Sequence, residues 1–132
     1  TPACHKEGAM GVFIQSPAGR RMVYTGDTGL SESLVDYLHN LDLLVVEMSF
    51  LELEMEMHLN LWQVAELAGI SDPRAIMPVH LYPELERHSD VHLRSLIAKW
   101  YEGDVFIARD GMSLLWEDAT SSWKESRFLQ TQ

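Results

Sequence analysis

Three polar residues stand where apolar runs end. Asp27 closes the stretch MVYTGD, Glu47 lies late in LLVVEMSF, and His80 follows AIMPV. Histidine and carboxylate side chains are ordinary ligands of zinc, manganese and iron. In α/β proteins, groups at strand ends gather along one edge of the sheet, where ligands bind. Taken singly, each residue has a plainer use. An aspartate after a strand caps a turn or a helix, and a histidine there is a satisfied polar group. Equivalent positions after three separate runs are what argue for a shared site. His5, ahead of the first apolar run, is placed to reach the same edge. Cys4 is its neighbour, but adjacent side chains of an extended segment point apart, which argues against a cysteine–histidine nucleophile pair. Gly26 and Gly29 flank Asp27. They permit tight turns and strip away bulk, so that metal ions can approach the carboxylate.

The elements that must position these residues follow from the pattern. GVFIQS and RMVYTG are strand-like runs joined by the turn residues PAGR, which predicts a hairpin. Ser31 is placed to cap a helix in which Leu34, Val35 and Leu38 share a face. DLLVVEMSF is a nearly continuous apolar run, as in a strand buried on both faces. LNLWQVAELAGI has helical spacing through Leu61, Val64, Leu67 and Ala68, with Gly69 as its stop. AIMPVHL is a further strand, and Pro83 suits the start of a helix running on through ELERHSDVHLRSLIAKWY. DVFIARDGMSLLWED predicts two strands around an Asp-Gly turn, and the polar tail from Ala119 to Gln132 is expected to be irregular or weakly helical. Helices alternating with strands after a hairpin give an α/β class. In LELEMEMH, Glu52, Glu54 and Glu56 fall on one side. One reading is a loop that delivers His58 to the site, its acids and methionines shaping the mouth. The other is an exposed edge strand whose charges discourage aggregation.

Composition bounds the answer. The chain has 132 residues, 46% hydrophobic and 23% charged, enough for one domain with a real core. No apolar run reaches membrane-spanning length, so no membrane partner is expected. Cys4 is the only cysteine, which rules out an intrachain disulfide and suits the reducing cytoplasm. With 20 acidic against 10 basic residues, the net charge of -10 repels phosphate backbones. Direct nucleic-acid binding by this chain is therefore not expected.

The motifs GRRMVYTGDTG, LDLLVVEMSF, MHLNLWQVAELAG, AIMPVHLYPE and VFIARDGM, in that order, resemble the C-terminal half of the metallo-β-lactamase superfamily. The nearest likeness is to the branch with ribonuclease Z and related phosphodiesterases. The resemblance spans Cys4 to Leu115 and implies an α/β fold that is half of an αββα sandwich, covering residues 1–118 and followed by a tail over 119–132. It implies a centre of two divalent metal ions, zinc foremost, with manganese or iron as alternatives. By this match His5 and His80 would each bind one metal and Asp27 would bridge both. Glu47 and His58 would be the catalytic pair that helps protonate the leaving group. Two metals generate a nucleophile at neutral pH, and a histidine beside a carboxylate is a suitable proton donor.

The family's main metal motif, His-x-His-x-Asp-His, is absent. HSDVH, from His88 to His92, has the wrong spacing and falls in a predicted helix with a solvated face. Three ligands spread over two metals are too few, since a catalytic zinc takes about three protein ligands of its own. The resemblance therefore implies a partner: an N-terminal half carrying the missing motif, or a second copy of the chain. Its function would be metal-dependent hydrolysis, foremost of a phosphodiester, with ester or lactone hydrolysis next. The rival reading is a degenerate, non-catalytic half-domain that serves as a binding or assembly module.

Overall fold

The computed structural model describes residues 10–127. β1 (Val12–Gln15) and β2 (Arg21–Tyr24) form the expected antiparallel hairpin, closed by Gly19 at φ +85°. β2 continues into parallel pairing with β3 (Leu43–Glu47), β3 with β4 (Ala75–Val79), and β4 with the short β5 (Asp104–Val105). The five strands lie in the order β1-β2-β3-β4-β5. This is the mixed sheet with connecting helices that the sequence predicts.

The sheet's two faces differ. Val23, Leu44 and Ile76 are cross-strand neighbours and, with Val46, are buried completely. They form one core with Leu34 and Leu38, with Leu61, Val64, Leu67 and Ala68, and with Leu93 and Ile97. Those residues come from the segment around α1 (Glu32–Val35) and from α2 (Leu61–Ser71) and α4 (Asp90–Ile97). The opposite face carries Val12, Ile14, Tyr24, Val45, Met77 and Val79, all exposed or half-buried. It is apolar, and among the described residues no helix covers it. Leu43, Glu47 and Ala75 lie on this same face but are buried, so β3 is covered on both sides except at Val45.

Ser31 caps α1, its hydroxyl accepting from the Leu34 N–H. Asn60 caps α2 through a reciprocal box with Gln63. Gly69 is not the stop of α2. The helix runs on to Ser71 and ends at Asp72 in a left-handed conformation. Gly69 instead makes room for a neighbour: a Cβ there would lie 2.5 Å from the Trp100 carbonyl oxygen. The long helix expected from Pro83 is two, α3 (Pro83–Glu86) and α4, because Ser89 accepts from the His92 N–H and starts the second. No helix among the described residues is long and apolar enough to cross a membrane.

The C-terminal part departs most from expectation. Asp104–Val105 joins the large sheet, so it does not pair with the strand after the Asp-Gly turn. That strand, β6 (Met112–Glu117), pairs instead with β7 (Ser122–Arg127), in the segment expected to be irregular. Trp116 and Trp123 face each other across the pair, edge to face at 5.4 Å, and the Trp123 indole N–H donates to the Asp42 carbonyl. A cross-strand aromatic pair and a docking bond supply what a polar composition does not advertise.

Candidate active site

Glu47 ends β3 and is fully buried. Its carboxylate accepts four hydrogen bonds. Oε1 takes the Thr28 N–H and the His58 Nδ1–H, each at 2.8 Å. Oε2 takes the Ser49 hydroxyl at 2.7 Å and the Leu59 N–H at 3.2 Å. The Thr28 and Leu59 N–H groups can only donate, and an ionised carboxylate, which can only accept, accepts from the Ser49 hydroxyl and from His58 Nδ1 as well. Two of these partners, Thr28 and Leu59, belong to the segments that carry Asp27 and His58. One buried group therefore fixes both segments to the end of β3.

His80 follows β4 in a left-handed backbone conformation, φ +59°. That conformation is disfavoured for a residue with a Cβ, and its persistence at a strand exit is a mark of functional sites. Its Nδ1 lies 2.9 Å from the Ser49 hydroxyl oxygen. Its Nε2 lies 3.7 Å from Asp27 Oδ2, and both side chains are more than one-third exposed. The His58 and His80 rings stack nearly parallel, 5.6 Å between centroids. Phe50 and Tyr82 stand against them, with Tyr82 5.4 Å from His80 and 4.7 Å from Phe50.

Asp27, Glu47, His58 and His80 are thus brought together. His5 lies outside the described residues. His88, half-buried just before α4, and His92, exposed within it, stack on each other at 5.3 Å and do not join this cluster. Gly26 makes the tight turn expected of it, at φ +61°, and the bulk missing at both glycines leaves room for neighbouring backbone. A Cβ at Gly26 would lie 2.8 Å from the Met10 carbonyl oxygen, and one at Gly29 only 1.7 Å from the Glu56 carbonyl oxygen. Both glycines admit neighbouring backbone. At Gly29 that backbone belongs to the 51–58 segment, which is a loop, the first of the two readings given above, with Leu53, Met55 and Met57 exposed.

The donor set has the chemistry of a metal site. Ligands about 2.1 Å from a tetrahedral zinc lie about 3.4 Å apart, and the His80–Asp27 separation of 3.7 Å is close to that. Glu47, His58 and His80 also bring donor atoms within 4.8 Å of one another. Glu47 is the anchor of that trio rather than a ligand, because both its oxygens already take two donors each. Ser49 was not singled out in the sequence. The signal was there: two residues beyond Glu47 in the run LLVVEMSF, it falls on the same face of the strand that run predicts.

The description "beta-lactamase superfamily domain" belongs to the family model that matches residues 1–81. Among solved structures, the metallo-β-lactamase fold protein YhfI of Bacillus subtilis superposes with a TM-score of 0.59 at 22% identity, over 75% of this chain and 46% of its own. Igni18, a metallo hydrolase of the hyperthermophilic archaeon Ignicoccus hospitalis, gives 0.63 at 14% identity, over 98% and 52%. The short form of human tRNase Z gives 0.52 at 17%, over 76% and 35%. At such identities the likeness is one of fold. This chain spans about half of the first two structures and about a third of the last. No curated protein matches it.

Proposed function

This chain belongs to the β-lactamase superfamily domain family, and on that premise we propose that it supplies one half of a two-metal hydrolytic centre that acts on phosphodiesters. Asp27 and His80 would hold the metals together with His5. The supporting observation is the convergence of Asp27 and His80 at 3.7 Å, beside a histidine anchored on a buried carboxylate. The metal ions, when bound, would supply Lewis acidity and an activated water. The chain's own residues do the rest. Glu47 accepts from His58 Nδ1, which leaves the lone pair or the exchangeable proton of that ring at Nε2, where a leaving oxygen would be protonated. Phe50 and Tyr82 offer an aromatic wall to the leaving group, and the acidic loop 51–58 disfavours a polyanionic one.

The remaining ligands would come from an N-terminal half bearing His-x-His-x-Asp-His. The apolar face of Val12, Ile14, Tyr24, Val45, Met77 and Val79, exposed or half-buried and covered by no helix among the described residues, supports a packed partner, since contiguous apolar surface of this kind marks an interface. The test is to combine this chain with that half, measure metal by mass spectrometry and assay bis(p-nitrophenyl) phosphate hydrolysis. The complex should hold about two ions and turn over substrate, and Asp27→Ala should lose both. A complex with no more metal than this chain alone overturns the reading. Self-association of this chain through the same face, without metal or activity, would support the assembly-module reading instead.

A further inference from the structure

We propose that Ser49 is a positioning residue that passes the orientation of Glu47 on to His80, so that one buried carboxylate sets the tautomer of both site histidines. The proposal rests on the metal-site reading above only for its consequence; the relay itself is a matter of hydrogen bonds within this chain.

Each link follows from donor and acceptor capacity. An ionised Glu47 carboxylate has no proton to give, and one backbone N–H, from Thr28 or Leu59, already donates to each of its oxygens. The Ser49 hydroxyl, 2.7 Å from Oε2, must therefore spend its single proton on Glu47. The Ser49 oxygen is then left as an acceptor toward His80 Nδ1 at 2.9 Å. An acceptor there selects the His80 tautomer with the proton on Nδ1. The lone pair then sits on Nε2, the nitrogen that faces Asp27. His58 receives the same instruction directly, through Oε1.

Ser49 cannot drift from this role. It is fully buried. Its backbone N–H donates to the Leu59 carbonyl at 2.9 Å, and its own carbonyl accepts from the Tyr82 N–H at 3.3 Å. Both flanking segments, the one after His58 and the one after His80, are pinned to it. Free imidazole carries its proton on Nε2 or Nδ1 with only a small preference, so a ring without this partner would divide between the two and present a blocked Nε2 part of the time. Groups behind metal-binding histidines fix the tautomer in this way, and their loss costs about 10- to 100-fold in metal affinity.

The test compares wild type with Ser49→Ala and Ser49→Thr. Long-range proton–nitrogen NMR on the metal-free, nitrogen-15-labelled chain, at about pH 8 where an ordinary imidazole is neutral, reports each ring's tautomer. Wild type should show Nδ1–H for both His58 and His80. Ser49→Ala should move His80 alone toward Nε2–H, and Ser49→Thr, which keeps the hydroxyl, should restore it. If Ser49→Ala does not fold, Ser49→Val against Ser49→Thr makes the same comparison at matched shape. A His80 tautomer that is Nε2–H in wild type, or unmoved when the hydroxyl is removed, overturns the relay. In the completed two-half complex, Ser49→Ala should lower zinc affinity about 10- to 100-fold. A tautomer shift without that loss upholds the relay and tells against His80 as a ligand.

Discussion

Glu47→Gln is close to isosteric, yet the geometry makes it costly. Each carboxylate oxygen faces one backbone N–H and one side-chain donor: Thr28 and His58 on Oε1, Leu59 and Ser49 on Oε2. The side-chain donors can adapt, because an imidazole can change tautomer and a hydroxyl can rotate. The backbone N–H groups cannot. Whichever way the amide is turned, its NH2 group meets a backbone donor. The longer Leu59 contact, 3.2 Å against 2.8 Å for Thr28, favours placing NH2 on that side. One buried N–H is then left without an acceptor, at about 1–3 kcal/mol, and the other bonds lose their charge assistance, worth about 1 kcal/mol more. The expected loss is about 3 kcal/mol, against a total stability of about 5–15 kcal/mol for a domain. With a urea slope of about 1.5 kcal/mol/M, the unfolding midpoint should fall by about 2 M. Circular dichroism across a urea series measures this directly. The same substitution should switch His80 to its Nε2–H form, since Ser49 would accept from the amide and give its proton to His80. A midpoint shift below about 0.3 M, or about 0.5 kcal/mol, would refute the four-bond account of Glu47.

Gly29→Ala would set a Cβ 1.7 Å from the Glu56 carbonyl oxygen. The 51–58 loop would have to retreat by roughly 1.5 Å, at about 1–3 kcal/mol, and should draw His58 away from Glu47. A His58 ring resonance unmoved in nitrogen-15 NMR would contradict this. Tyr101 is buried and its hydroxyl donates to the Pro73 carbonyl at 2.6 Å. Burial first, then the charges of Asp104 and Asp72, push that hydroxyl's pKa well above its ordinary value. Since the folded pKa is the higher one, the unfolded chain ionises first on the alkaline side. The contribution is whole below about pH 10 and is lost as pH rises beyond it. Urea midpoints should fall more steeply above that pH in wild type than in Tyr101→Phe, and equal slopes would count against the assignment.

Much of the frame is legible in the residues alone. The β1–β2 hairpin, the Ser31 start of its helix, the apolar face of α2 and the buried run of β3 are written in local chemistry: turn residues, a capping side chain and apolar periodicity. Asp27, Glu47 and His80 are legible for the same reason, as polar residues that close apolar strands, and the resemblance added His58. Other features are decided only by neighbours distant in the chain. Gly69 has the look of a helix stop, but the backbone at Trp100 gives it its use. SSWKESR carries little strand signal by itself, and becomes β7 because β6 lies alongside and Trp123 meets Trp116. The same holds at the site. Residue types nominate three side chains within the described residues, the resemblance adds a fourth, and the fold brings them to one edge. That Glu47 is an anchor with every lone pair engaged, and that Ser49 ties it to His80, depends on where the Thr28 and Leu59 amides fall. Hydrogen-bond capacity is a property of a residue, but its satisfaction is a property of the packed fold.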